Sequence, residues 1–228
     1  MEDLSQLSTW EQFTYYFREN GLYVLELFTT HFLTSIYGVL LACIVGIPLG
    51  IFIAKNSKLA TPIITLANII QTIPALALMA MIMLVLGLGQ TTVIATVFLY
   101  SLLPIIKNTY TGIMTIDKSL TDAGRGMGMT RQQVLYMIEL PLSLSIIITG
   151  IRIALVIAIG ITAIGAFIGA GGLGDIIIRG TNATDGTAII LAGAIPTAIM
   201  AVIVDVGLGW LERRFDPMKR QQRLKKVV

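Results

Sequence analysis

Five stretches of this chain are apolar over the length of a bilayer, and this confines it to a membrane fold. A helix needs about 20 mainly apolar residues to cross, with every backbone group bonded inside the segment. Such runs occur at roughly Thr34–Ala54, Thr61–Gly87, Thr91–Ile106, Leu142–Ile168 and Thr187–Leu211. They predict an all-α membrane protein with five transmembrane helices. The third run is short and ends near Pro104. Pro48 and Pro74 predict kinks in the first and second, because proline frees a backbone carbonyl. Only 13% of the residues are charged, where a soluble domain carries about 25%. The opening MEDLSQLSTWEQ is acidic and polar, unlike a cleavable secretory signal. The lone Cys43 falls in an apolar run and reads as a small buried hydrophobe.

The direction of crossing follows from the cations. All Lys and Arg residues except Arg18, Arg152 and Arg179 fall in three places. These are Lys55 and Lys58, then Lys107 to Arg131, then Arg213 to Lys226. Five spans put all three on one side, and positive residues mark the cytoplasmic side. The expected topology has the N-terminus outside and the C-terminus inside. Residues 1–30 form an extracellular N-terminal segment, 31–212 a transmembrane permease domain with a cytoplasmic loop at 107–141, and 213–228 a basic cytoplasmic tail facing lipid headgroups. Trp10, Phe13 and Phe17 stand at helical spacing, so the first segment is either an interfacial amphipathic helix or a partly ordered tail.

Three spans carry small residues at nearly every fourth position: Gly38 to Ala54, Gly150 to Ala170 and Gly193 to Gly209. Residues four apart share a helix face, and small ones let membrane helices approach closely. The stripes are expected to be seams within the subunit or against a second permease, since five helices are few to enclose a solute path. Arg152 and Asp205 are the formal charges well inside the spans. At about 1.5 Å per residue they lie roughly 16 and 12 Å from the cytoplasmic ends of their helices. Similar depth suggests a candidate intramembrane pair, or two groups lining a wet inner cavity.

The loop between the third and fourth spans contains TDAGRGMGMTRQQVLYMIELP. Asp122, Ala123 and Gly124 are followed by Gly128, then by Ile138, Leu140 and Pro141. This resembles the loop of binding-protein-dependent ABC importer permeases: an acidic residue, two small ones, a glycine, then I-x-L-P. Asp stands for the usual Glu and Gly for the second Ala. The resemblance implies a type I importer permease with a short coupling helix seated in a cleft of a separate ATPase. Asp122 is expected near a helix start, where it can cap free N–H groups. Small residues at 123, 124, 126 and 128 are expected to allow close approach to the ATPase. Pro141 is expected where the fourth span begins.

Three further stretches look like permeases for glycine betaine, carnitine and choline. They are Gln71-Thr-Ile-Pro-Ala-Leu-Ala-Leu78, Leu99-Tyr-Ser-Leu-Leu-Pro-Ile-Ile-Lys-Asn-Thr-Tyr-Thr-Gly112 and Ala166-Phe-Ile-Gly-Ala-Gly-Gly-Leu-Gly174. That resemblance implies an osmoprotectant importer in a bacterial plasma membrane, with two permeases, two ATPases and an extracellular binding protein. ATP and Mg would be bound by the ATPase. The chain has no G-x-x-x-x-G-K-[ST]. Gly169–Gly174 matches G-x-G-x-x-G literally but follows an apolar helix instead of a strand, so a dinucleotide site is not expected. His31 stands alone, so neither a metal site nor catalysis is expected, and no nucleic acid. Asn68, Gln71, Thr72 and Asn108, polar within or beside spans, are candidates for the translocation path; packing contacts account for them equally well. The rival readings are a permease for another solute such as methionine, an ion-coupled secondary carrier and a purely structural membrane subunit.

Overall fold

The computed structural model describes residues 8–215, which form nine α-helices and no strand. Helix α1 runs Thr9–Lys55, α2 Ser57–Thr72, α3 Ala75–Leu86, α4 Gln90–Met114, α5 Lys118–Gly126 and α6 Arg131–Val134. A π-helical turn, Leu135–Glu139, leads into α7, Leu140–Ile164. A 3-10 turn, Gly165–Ile168, then α8, Leu173–Thr181, and α9, Thr187–Phe215, complete the described chain.

Four helices are long and apolar enough to cross a membrane: α1, α4, the continuous run Arg131–Ile168, and α9. The α2–α3 pair makes a fifth if taken as one broken span, because the two are bent by 96°. The break falls at Ile73–Pro74, where proline has no N–H to give. Side chains bridge the break to α4: Tyr100 Oη donates to the Ile73 carbonyl, and Gln71 Nε2 donates at 2.8 Å to the Tyr100 carbonyl, four residues before Pro104. Pro48 behaves differently. Its neighbours keep helical dihedrals, and the interruption in α1 is at Asn20 (φ −117°, ψ 16°), whose side-chain amide donates to the Tyr16 carbonyl at 3.1 Å.

The spans outrun the apolar runs that announced them. Helix α1 begins at the capping box of Ser8 and Glu11 and continues without a loop into the first span. Its residues 9–30 hold Val24 and Leu27, buried in a cluster with Leu173, Ile176, Ala192 and Met200 of α8 and α9. Pro104 does not end the third span, because α4 continues to Met114. The basic tail beyond residue 215 and the first seven residues lie outside the described residues.

The small-residue stripes are seams inside the subunit. A Cβ on Gly38 would stand 2.4 Å from Val97, one on Gly50 2.6 Å from Thr109, and one on Gly150 2.7 Å from Asn108. Thus α1 and α7 both close on α4. Gly193 lies against Ile177 in the same way, fastening α9 to α8.

The glycine-rich stretch after α7 is tied down by His31, which is fully buried. The Leu173 N–H can only donate, so His31 Nδ1 accepts it at 3.2 Å. The proton therefore sits on Nε2 and is donated to the Ile159 carbonyl at 2.9 Å. Gly172, with φ 88°, passes so close that a Cβ would lie 3.1 Å from the ring. The literal nucleotide motif is a turn packed on a histidine.

Candidate coupling site

Helix α5 lies between two spanning helices, at the end of the bundle that bears Lys55. Its first turn is capped by Asp117, whose carboxylate accepts the Ser119 N–H at 2.9 Å. That bond holds the carboxyl below its ordinary acidity value. Asp122 is therefore not the capping residue expected from the motif. It sits in the fifth position of α5, exposed, 3.7 Å from Arg125 one turn on. An exposed pair of this kind adds little stability.

The helix ends in a complete Schellman turn. Gly128 has φ +84°, its N–H donates to the Arg125 carbonyl at 2.9 Å, and the Met129 N–H donates to the Gly124 carbonyl at 3.1 Å. A Cβ on Gly128 would meet nothing within 4 Å. Gly128 is thus required for its left-handed backbone and not for close approach, contrary to the expectation from its size. Gly124 is the residue that needs smallness: a Cβ there would lie 2.7 Å from Ile138 and 3.1 Å from the Met129 sulfur. The two halves of the loop motif touch each other, with Gly124 of the first half seated under Ile138 of the second.

The chain then reverses through α6, which opens with a capping box. Thr130 N–H donates to Gln133 Oε1 at 2.8 Å, and Gln133 N–H donates to Thr130 Oγ1 at 3.3 Å. The T-x-x-Q spacing was readable in the sequence. The π turn follows, closed by the Leu140 N–H bonding to the Leu135 carbonyl. A proline ring crowds the carbonyl four residues earlier and offers it no N–H. The widened turn just before Pro141 accommodates both effects. Pro141 consequently lies inside a continuous helical run that starts at Arg131, ten residues before the position expected for the start of the span.

The middle residue of the I-x-L-P portion is Glu139, and it is buried. Lys55 Nζ, at the last turn of α1, donates to its carboxylate. The ion pair ties the end of the first span to the loop 84 residues later. Sequence reading counted Lys55 only as a cation marking the cytoplasmic side and gave Glu139 no role. Ala123 and Gly126 remain exposed on α5, as does Met127 just past its end, with Leu120 about half exposed. Beside them lies a cleft of about 760 Å³ lined by Lys55, Arg125, Arg131 and Gln132 among others. The site is therefore a rigidly braced short helix with a small-residue and apolar outer face beside a basic cleft.

Farther into the bundle the structure brings Arg152 and Asp205 together at 3.7 Å. It adds a second carboxylate, Glu212, 3.4 Å from Arg152 Nη2. Arg152 lies over Gly209, where a Cβ would stand 2.8 Å from its guanidinium. The cluster locks α7, which leads out of the coupling loop, to α9. Arg152 and Glu212 are each about a quarter exposed, so a double-mutant cycle between Arg152→Met and Glu212→Gln is expected to give about 1 kcal/mol of coupling in thermal unfolding.

The four candidate path residues are not one constellation. Asn68 is exposed on α2. Gln71 holds the α2–α3 break as described, and the Thr72 hydroxyl bonds back to Ile69 at 2.7 Å. Asn108 bonds back to Pro104 at 2.7 Å and packs under Gly150. Among the described residues no group of His, Cys, Asp and Glu could hold a metal ion.

A bundle of broken and unbroken spans with a braced helix between two of them is the architecture of a multi-pass membrane protein. The family model described as "binding-protein-dependent transport system inner membrane component" matches residues 46–217, and the chain belongs to that family. It is a multi-pass plasma-membrane protein and a transport subunit, not an enzyme. The glycine betaine/carnitine/choline transport system permease protein OpuCD of Bacillus subtilis is 62% identical over 222 residues, which are 97% of this chain and 94% of the relative. The carnitine transport permease protein OpuCD of Listeria monocytogenes is 60% identical over 217 residues, 95% of this chain and 97% of the relative. The fold is also that of a chain of the MetNI methionine ABC transporter in an inward-facing conformation. That match has a TM-score of 0.76 at 19% identity, covering 84% of this chain and 95% of the other.

Proposed function

We propose that this chain is the permease of an ATP-driven importer of quaternary ammonium osmoprotectants: carnitine, glycine betaine and choline. The observation that carries the reading is 62% identity, over nearly the whole chain, to a relative named for those three solutes. The methionine transporter shares the fold at 19% identity, which says nothing of its solute.

The working assembly has a second permease, two ATPase subunits that bind ATP and Mg, and an extracellular binding protein. The N-terminus faces out and the C-terminus in, a direction that the cation distribution supports. Helix α5, with Asp122, Ala123, Gly124 and Gly128, seats in the ATPase, and Ile138, Leu140 and Pro141 transmit its movement to α7. ATP binds the closed ATPase pair better than the open one, and this difference drives the spans from inward-open to outward-open. The binding protein then releases solute to a path formed with the second permease, for which Asn68 and Gln71 remain candidates. The Arg152, Asp205 and Glu212 cluster makes α7 and α9 move as one body.

Uptake of labelled glycine betaine into proteoliposomes holding the full assembly tests this. ATP-dependent uptake, inhibited by excess carnitine and choline but not by methionine, is expected. Inhibition by methionine alone would move the chain to another solute. Uptake driven by an ion gradient without ATP would make it a secondary carrier.

A further inference from the structure

At the end of the bundle away from α5, a cavity of about 290 Å³ lies between the N-terminal part of α1 and the start of α9. Tyr15, Tyr16, Asn20, Thr184 and Asp185 are among the residues lining it. Two features set the cavity apart. Asp185 is the only described non-glycine residue with positive φ, at 58°. Aspartate enters this left-handed region more readily than most residues, and here it turns the chain into Gly186 at the start of α9. Its carboxylate, moreover, has no hydrogen-bond or ion-pair partner among the described residues. The open cavity is thus lined by two tyrosines, one of them exposed, and an exposed carboxylate, chemistry that suits a large, weakly hydrated cation. Aromatic faces attract alkylated ammonium through the ring quadrupole, and the carboxylate supplies charge.

We infer that Tyr15, Tyr16 and Asp185 form a holding site for the quaternary ammonium group of the solute at the outer mouth of the permease. The inference rests on the transport reading for the solute and for which end is outer. The nearby cation does not oppose it. Arg179 stands 4.9 Å over the Tyr23 ring and within electrostatic reach of Tyr16 and Asp175. It is not among the residues lining the cavity, and its charge is met by the Tyr23 ring and by Asp175. Asn20, where α1 departs from helical dihedrals, is itself one of the lining residues.

Saturation-transfer NMR on the full chain in lipid nanodiscs tests the site directly, with tetramethylammonium as probe and neutral 3,3-dimethylbutan-1-ol as control. A saturable signal is expected for the cation and none for the neutral isostere. Asp185→Asn keeps a residue at ease with positive φ, so any loss reports charge and not backbone. It and Tyr16→Ala should each weaken binding about threefold to tenfold, and Tyr16→Phe should retain it. No saturable signal, an equal signal from the neutral isostere, or unchanged binding in both Asp185→Asn and Tyr16→Ala would overturn the site. Tetramethylammonium binding together with failed osmoprotectant uptake would overturn the transport reading and leave the site standing. Uptake without tetramethylammonium binding would do the reverse.

Discussion

Gly128→Val is expected to cut ATP-driven uptake about tenfold or more, while Gly128→Asn keeps most of it. The contrast follows from backbone geometry. At φ +84° Gly128 closes the Schellman turn that ends α5. A left-handed conformation costs an ordinary residue about 1–2 kcal/mol, more for a β-branched one and less for asparagine. Space is not at issue, since a Cβ there meets nothing. Valine would relax its strain by opening the turn, breaking the Met129-to-Gly124 bond and swinging α5 off Ile138. The exposed face would then reach the ATPase in the wrong orientation. Uptake by reconstituted assemblies, normalised to the amount of copurified ATPase, is the measurement. Equal losses for valine and asparagine would show that smallness, not conformation, is what the position supplies.

The second large effect belongs to Lys55. Lys55→Met removes the partner of a buried carboxylate and leaves Glu139 charged or forces it to take up a proton. Orphaning one member of a fully buried pair costs about 3–5 kcal/mol. The Lys55 side chain is 41% exposed, so water screens part of this and about 2–3 kcal/mol is expected. Lys55→Met/Glu139→Met should recover most of the thermal stability in detergent, because an apolar pair of similar volume fills the space without a charge. Recovery of folding need not restore transport, since the pair also fixes the angle between α1 and the coupling loop. If Lys55→Met unfolded at the wild-type temperature, Glu139 would have to be stabilised by something other than the lysine.

What the sequence revealed divides along the range of the interactions. Spans depend on local hydropathy, so the five apolar runs were legible. Their true ends were not, because Val24 and Leu27 are helical residues stabilised by burial against α8 and α9, not by a continuous apolar run. Pro74 announced a break, but the 96° bend depends on Tyr100 reaching back from α4. The stripes of small residues indicated seams without naming partners. In the coupling loop the structure reassigns two parts of the motif. Asp122 was read as a cap where Asp117 does that work, and Gly128 as a contact where it is a turn. Glu139 was invisible because its role exists only in company with Lys55. Glu212 could have been found: it lies seven residues after Asp205, two turns along the same helix face.

The central claim, that α5 is where a separate ATPase takes hold, is tested most directly by photocrosslinking. A photoreactive amino acid replacing exposed Met127 in the assembled transporter should give an adduct with the ATPase subunit, and one replacing Thr184 at the other end of the bundle should not. No ATPase adduct from position 127, or equal adducts from both positions, would contradict the account.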